Sequence, residues 1–238
     1  MDRTALKDQA KAELNPNFSY YLLISLPALL LTGLAAIVPF PTIQEAHHGE
    51  WQILVKSRLD TVTGSHMNEY LNMWQSILIF VSLSGLLLMI GVGFAMMDGL
   101  RGRSDHHFGW RQMFKIFERG EYFLGSLLIG LLQWVWVFLW TLLLIVPGIV
   151  KALAYSQAQW LYRDAIDRGQ PIGYTEAITQ SRQLMEGYKW EFFVLILSFL
   201  GWWLLELITF GLASIWVMPY RTMTFANFYL KLKDKQAA

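Results

Sequence analysis

The chain has 238 residues, of which 55% are hydrophobic and only 16% are charged, against about 25% charged residues in a typical soluble domain. A net charge of +1 argues against a nucleic-acid partner, since such partners are met by a strongly basic face. The chain has no cysteine, which excludes disulfides, thiolate metal sites and cysteine nucleophiles. The composition agrees with an integral membrane protein.

Three uncharged runs, Tyr20–Phe40, Ile77–Met97 and Tyr122–Val150, are each long enough to cross a bilayer. A hydrocarbon core about 30 Å thick needs roughly 20 apolar residues in a helix. A backbone in that medium has to satisfy its own hydrogen bonds, so the runs are predicted to be helices. The first run is too long for the apolar part of a signal peptide, and we expect it to remain as a membrane anchor.

Three more spans follow with weaker patterns. The pair Pro147–Gly148 interrupts the third run and predicts a turn, and Phe210–Gly211 predicts another. The sequence therefore predicts an all-α fold, a polytopic transmembrane helical bundle of about six spans, as a single domain over residues 1–238. The predicted spans are about 20–40, 76–97, 122–146, 149–168, 190–209 and 212–230, with an outer loop at 41–73.

The basic residues orient this layout. Of the 19 lysines and arginines, fifteen fall on one predicted side and three on the other, namely Lys56, Arg58 and the shallow Lys151, while Arg221 lies within a span. Cytoplasmic loops of membrane proteins carry the excess of lysine and arginine. Both termini are therefore expected on the cytoplasmic side.

A short amphipathic stripe precedes spans one, three and five. The stripes are Leu6, Ala10 and Leu14; then Trp110, Met113, Phe114 and Phe117; then Ala177, Ile178, Ser181, Leu184 and Met185. Each predicts a short helix lying in the cytoplasmic interface, ended by Asn15, Gly120 or Gly187 in the left-handed conformation. The layout indicates a unit of one interface helix and two spans that occurs three times. The alternative is that there is no repeat and that any interface helix entering a membrane shows this pattern.

The C-terminal half carries several motifs in order. They are Leu144-Ile145-Val146-Pro147-Gly148 with Lys151 and Tyr155, then Glu176-Ala177, Ser181-Arg182, Leu184-Met185, Gly187, Lys189 and Trp190, then Pro219-Tyr220 and Phe228-Tyr229. Over about Ile145 to Lys233 they resemble the bacterial domain-of-unknown-function 975 family of integral membrane proteins. A similar pattern occurs in the membrane region of some glycerophosphodiester phosphodiesterases. The predicted membrane segments of this sequence leave no stretch long enough for the soluble catalytic barrel of those enzymes. The resemblance implies a multi-pass protein of the bacterial cytoplasmic membrane without an established activity.

Polar residues inside spans mark candidate sites, because charges there are costly and face protein or water. Lys151 and Glu206 lie at similar depth near the outer side, and we expect them to pair across spans four and five. The alternative is that Lys151 extends to the outer surface and leaves Glu206 without this partner. Arg221 lies near mid-bilayer, where no acidic residue is expected. Its expected polar neighbours are Gln133, Tyr155, Gln157 and Gln159. This set is either a satisfied structural group or a site for an anion or a lipid phosphate.

Histidines occur near carboxylates in two places. One is the outer loop, with Glu45, His47, His48, Glu50 and His66, and the other is Asp105-His106-His107. Neither shows the ligand spacing of a known metal site, and solvated loop residues are the favoured interpretation. With no phosphate loop, serine elbow or paired catalytic carboxylates in the sequence either, we predict no metal, no cofactor and no enzymatic activity.

The favoured function is a non-enzymatic scaffold or lipid-interacting module. Its partners would be membrane lipids and other membrane proteins. The head-group candidates are basic residues beside aromatic ones near the cytoplasmic interface: Arg111, Lys115, Arg119, Arg182 and Lys189. The alternative is a transporter or channel for small molecules or lipids, with a mid-membrane polar site around Arg221. A continuous polar path through the bundle would distinguish the two.

Overall fold

The computed structural model describes residues 2–37, 50–107 and 109–237, and within these ranges every regular element is a helix. In chain order the helices are α1 (Arg3–Leu14), α2 (Phe18–Ile37), α3 (Glu50–Leu100), α4 (Trp110–Met113), a 3₁₀ turn (Lys115–Phe117), α5 (Gly120–Leu143), α6 (Ile145–Tyr155), α7 (Ala158–Asp167), α8 (Tyr174–Leu184), α9 (Lys189–Leu197), α10 (Leu200–Ile208) and α11 (Ser214–Ala237). The predicted all-α fold is confirmed for these ranges.

Three helical segments of the described chain are long and apolar enough to cross a membrane: Ser76–Leu100, Gly120–Leu143 and Lys189–Ile208. The apolar helix Phe18–Gly33 is shorter. The predicted spans at 149–168 and 212–230 are not among them, because α6 and α7 are separate helices and because α7 and the second half of α11 carry charges. Six spans stay a prediction.

The described chain falls into two compact units where the sequence predicts one domain. One is Met1–Pro27 with Leu87–Ala238, and the other is Ala28–Leu86. Within the second unit, α2 and α3 approach closely at Gly85, where an added Cβ would lie 2.8 Å from Thr32 Cγ2. A small residue there lets the two helices touch.

The predicted outer loop at 41–73 is helical from Glu50 onward, as the first part of α3. The continuous helix has a simple cause, since no proline interrupts the chain between Glu50 and Leu100. Residues 41–49, with the candidate ligands Glu45, His47 and His48, lie outside the described residues.

The hairpin of α5 and α6 turns at Leu144, whose backbone is extended with φ −159° and ψ 140°. The turn predicted at Pro147–Gly148 is therefore wrong in position. Pro147 lies in the first turn of α6, where a missing N–H costs no hydrogen bond. Gly148 instead permits close packing, because an added Cβ would lie 2.2 Å from Thr141 Oγ1.

The left-handed residues expected at helix ends are confirmed only in part. Phe210 and Gly211 have φ values of 51° and 86° and make the predicted turn before α11. Gly187 has a φ of 79°, as predicted. Asn15 has a helical φ of −61° and leads almost directly into α2, and Gly120 is the first residue of α5, so both of these expectations are wrong.

The amphipathic stripe of α8 is buried against protein. Ala177 and Ile178 belong to a core cluster with residues of α5, α6 and α7. At the centre of that cluster α5 and α7 meet closely, and a Cβ on Gly125 would lie 1.9 Å from Tyr162 Cε1. The apolar face of α8 thus stabilises the α5–α7 packing by removing its own surface from water.

The helix α1 lies along α11 in the opposite direction. Near its start, Leu6 O accepts a hydrogen bond from Asn227 Nδ2 at 3.0 Å. Past its end, Phe18 stacks on Trp216 with ring centroids 4.3 Å apart. The buried face of α1, with Leu6, Ala10 and Leu14, accounts for the contact.

Candidate functional site

A buried ion pair joins the end of α3 to α7. The Arg163 side chain is 3% exposed, and its Nη2 donates to Asp98 Oδ1 and Oδ2 at 2.7 and 2.6 Å. Its Nη1 donates to the carbonyl oxygen of Phe94, and its guanidinium carbon lies 4.8 Å from the Phe94 ring centroid. Arginine suits this place because its planar fork can serve two acceptors at once.

The neighbouring residue Asp164 joins α7 to α11 and to the end of α3. It is 2% exposed. Its Oδ2 accepts hydrogen bonds from Tyr229 Oη at 2.7 Å, from Arg101 Nη2 at 2.9 Å and from Lys233 Nζ. Two cations and a hydroxyl therefore compensate one buried carboxylate, as a buried charge requires.

The outer part of this charge network includes Asp167 and Lys115. Tyr122 Oη donates to Asp167 Oδ1, and Lys115 Nζ pairs with Asp98 Oδ2. Asp167 Oδ2 lies 3.7 Å from Arg163 Nε and 4.0 Å from Arg103 Nη1. Every carboxylate of the network thus has a cation beside it. The network stabilises the packing of the helices that it joins.

Sequence reasoning missed most of this network and selected only Lys115 from it. The available signal was the adjacent pair Arg163-Asp164 in α7, a short helix whose apolar residues are otherwise regularly spaced. Adjacent residues on a helix point in different directions, so both can be buried only if two different neighbours receive them. The sequence did not show that α3 and α11 do so.

The predicted Lys151–Glu206 pair is wrong. Glu206 Oε2 lies 4.0 Å from Arg221 Nη1, and Lys151 Nζ lies over the Trp140 ring at 4.5 Å from its centroid. The reason is local, because each residue meets the adjacent helix of its own hairpin, α6 on α5 and α10 on α11. The expectation that Arg221 has no acidic neighbour is wrong for the same reason.

The polar set predicted around Arg221 does not assemble there. Gln133 Nε2 donates to the carbonyl oxygen of Tyr155, and the Gln157 N–H donates to Ser181 Oγ at 3.1 Å. Ser181 Oγ in turn donates to Ala154 O at 2.8 Å. These bonds satisfy backbone groups that the break between α6 and α7 leaves without helical partners. Their role is structural, and the buried Gln157 contributes its backbone to it.

A basic groove lies between α5, α6 and α8. Its volume is about 230 Å³, and Lys151 and Arg182 both line it, with the rings of Trp136 and Trp140. Tyr155, Thr175 and Thr179 add hydroxyl groups to the lining. Among the described residues that line the groove, none is acidic. We call these residues the basic groove.

The other head-group candidates lie in different surroundings. Arg111 and Lys115 line a surface cleft on α4 and the 3₁₀ turn, but Lys115 is already paired with Asp98. The guanidinium carbon of Arg119 lies 5.5 Å from the Tyr122 ring centroid. Lys189 begins α9 and is half-buried. Arg182 differs from these residues as described, because its groove also holds a second cation and the indole rings of Trp136 and Trp140.

One histidine of the Asp105-His106-His107 string is partly buried and held by protein. His106 Nε2 lies 2.7 Å from Glu13 Oε1, which also accepts a hydrogen bond from Tyr21 Oη at 2.7 Å. The expectation of a solvated loop residue is therefore wrong for His106 and correct for the exposed His107. In the described part of the chain no group of three potential ligands could hold a metal ion.

Comparison with known proteins supports the resemblance for the C-terminal part. Residues 142–236, from the end of α5 to the end of α11, match the family described as Protein of unknown function (DUF975). No curated protein and no solved structure matches the chain. The match includes α7 with Arg163 and Asp164, and it includes Lys151 and Arg182 of the basic groove.

Proposed function

We propose that this chain is a non-enzymatic, lipid-interacting scaffold of the bacterial cytoplasmic membrane, with both termini on the cytoplasmic side. Three helical segments long and apolar enough to cross a membrane support the membrane setting. The excess of lysine and arginine on one predicted side supports the orientation. Membrane lipids, and other membrane proteins through the apolar surface, are the proposed partners.

The basic groove is the observation that carries the proposal. Lys151 and Arg182 bring two positive charges to one cleft, and an arginine fork with nearby hydroxyl groups suits a phosphate. Beside the groove, Trp136 is 46% exposed and Trp140 is partly exposed, and tryptophan is enriched where head groups meet acyl chains. An anionic phospholipid would place its head group in the groove and its chains on the apolar surface beyond.

The remaining head-group candidates contribute in a weaker way. Arg111, Arg119 and Lys189 would attract anionic lipid at the cytoplasmic surface without a shaped site. Lys115 is a poorer head-group candidate, because it already forms an ion pair with Asp98. The transporter alternative has less support, because Arg221 lies beside Glu206 and not beside the polar residues expected around it.

Lipid retention tests the proposal. The protein is purified from membranes that contain phosphatidylethanolamine and phosphatidylglycerol, and the bound lipids are identified by mass spectrometry. We expect enrichment of phosphatidylglycerol in the wild type and its loss when Lys151→Glu and Arg182→Glu are combined. The matched control combines Arg3→Glu and Lys235→Glu, which change the net charge equally at exposed positions outside the groove. Equal lipid composition in all three proteins would reject the proposal.

A further inference from the structure

We propose that two hairpins of this protein, α5–α6 and α10–α11, enter a single leaflet of the bilayer and turn back without crossing it. The inference rests on the membrane setting proposed above. It replaces four of the six predicted crossings by two insertions from the cytoplasmic side, and it leaves both termini on that side.

The tips of both hairpins expose several neighbouring large apolar side chains. Each of these side chains is at least 63% exposed. They are Leu143, Leu144, Ile145 and Val146 at the first tip, and Leu207, Ile208, Phe210 and Leu212 at the second. A turn at the outer surface would hold these side chains in water. Acyl chains of one leaflet would cover them instead, which removes the cost of hydrating apolar surface.

Polar groups limit how far the first hairpin extends into hydrocarbon. Six spans would separate Arg182, on the cytoplasmic side, from Lys151, on the outer side, by most of a bilayer, yet both line the basic groove. From Tyr155 at the groove to Ile145 at the tip, α6 rises about 15 Å. One leaflet contributes half of the hydrocarbon core, also about 15 Å. Gln133 of α5 bonds to Tyr155, so the part of α5 from Gln133 to the tip has about the same length, and this paired part of the hairpin matches one leaflet.

The charged helix α1 limits the second hairpin in the same way. Lys7 Nζ donates to Ser198 O at 3.3 Å where α9 ends, and Lys11 Nζ lies 5.6 Å from the Tyr220 ring centroid on α11. Burial at the first contact lowers the pKa of Lys7, and repulsion from Lys11 lowers it further. Beyond the Lys7 contact, α10 rises only about 13 Å.

A crossing α11 would carry α1 into the hydrocarbon with it. The antiparallel contact extends past the end of α1 to Phe18, the first residue of α2, which stacks on Trp216, so only a few residues of α11 lie beyond it. Arg3, Asp8 and Lys11 are exposed on α1, and exposed charges are strongly disfavoured in hydrocarbon. With α1 in the interface, those charges face water and head groups, as expected for an amphipathic surface helix.

The ion pair near the second tip is compatible with this depth. Glu206 lies shortly before the turn, and in a leaflet its charge has to be compensated by protein. Arg221 lies 4.0 Å away, and its guanidinium carbon lies 6.0 Å from the Trp203 ring centroid. Both side chains are less than one third exposed. The acid therefore enters the leaflet together with its cation.

Single cysteines test the insertion, and the natural chain has none to interfere. Leu144→Cys and Phe210→Cys report on the tips, and both side chains are exposed, so their loss removes little packing. Lys56→Cys is the control for the outer side predicted by the sequence, and Lys235→Cys is the control for the cytoplasmic side. Each variant is treated with a membrane-impermeant maleimide in intact cells, in inside-out vesicles and after denaturation.

Leaflet insertion predicts that the tip cysteines react only after denaturation, while Lys56→Cys reacts in intact cells and Lys235→Cys in inside-out vesicles. Reaction of the tips in intact cells, at the rate of Lys56→Cys, would show that the hairpins cross and would overturn the inference. Reaction of the tips in inside-out vesicles, or recovery of the protein without detergent, would instead count against the membrane setting itself. Leu142→Cys and Leu212→Cys repeat the test if a tip variant is not produced.

A nitroxide on the same cysteines separates lipid from protein as the cover. In reconstituted vesicles, a tip within a leaflet collides readily with dissolved oxygen and rarely with a water-soluble nickel complex. A depth near the bilayer centre, about 15 Å below the hydrocarbon boundary, is expected. Exclusion of both reagents, with spectral broadening between labels, would show a second copy covering the tips and would also overturn the inference.

Discussion

Replacing Arg163 by methionine removes the central cation of the buried charge network and keeps a long apolar side chain in its place. The guanidinium is 3% exposed and makes two hydrogen bonds to Asp98. Removing one partner of a buried ion pair costs about 3–5 kcal/mol, because the other charge is left uncompensated. Since Lys115 remains beside Asp98, we expect the lower end, about 3 kcal/mol.

This free energy converts to a measurable shift of the melting temperature. For a chain of this size each kcal/mol lowers Tm by about 2–4 °C, so Arg163→Met should lower it by roughly 6–12 °C. The assay is thermal unfolding in detergent, followed by circular dichroism at the helical band. Ligand-free protein is compared in one detergent throughout, because bound lipid would add its own stabilisation.

The matched control is Arg103→Met. Arg103 lies near the same Asp167 carboxylate, at 4.0 Å against 3.7 Å for Arg163, but its side chain is 60% exposed. Exposed pairs contribute about 0–1 kcal/mol, so Tm should fall by no more than about 4 °C. Equal losses in the two variants would refute the argument that burial, rather than the number of ion pairs, determines the contribution of this network.

Two further substitutions test the packing of α5 to α8. Gly125→Ala should lower the free energy of unfolding by about 1–3 kcal/mol, because its Cβ would overlap Tyr162. The control Gly130→Ala, whose Cβ has its nearest neighbour at 3.7 Å, should not lower it. Equal melting temperatures of the two variants would show that Tyr162 moves away freely. Ser181→Ala should lower the free energy of unfolding by about 1–3 kcal/mol, because backbone groups at the α6–α7 break lose their hydrogen-bond partner. The control Thr179→Ala, at an exposed position, should change it little. A melting temperature of Ser181→Ala as high as that of Thr179→Ala would contradict this role.

Helix type and most helix positions were predictable because they depend on local composition. Apolar runs without charge have few alternatives to a helix in hydrocarbon. The glycines at the helix ends, such as Gly187 and Gly211, form turns because of their own backbone preferences. Pro147 shows the limit of such local rules. A proline ends a helix in its interior but is tolerated in a first turn, and the sequence does not say which of the two it occupies.

Side-chain partners were much less predictable, because they depend on which helices become neighbours. The prediction that Lys151 pairs with Glu206 rests on their similar depth in a layout where all six segments cross the bilayer. The structure pairs Glu206 with Arg221 across a tight hairpin instead. The sequence does not mark Asp98 and Asp164 as buried, because a carboxylate near a span end is ordinary and only the arrangement of α3, α7 and α11 buries it.

The contact of α1 with α11 has a consequence for biogenesis. Leu6 and Asn227, which are joined by a hydrogen bond, lie 221 positions apart in the chain. The ribosome produces α1 long before its packing partner α11, so the apolar stripe of α1 has to be shielded by lipid or a chaperone until α11 has been made. Premature termination anywhere before Ser214 would leave that stripe without its partner, and such fragments would present a ready signal to the proteases of membrane quality control.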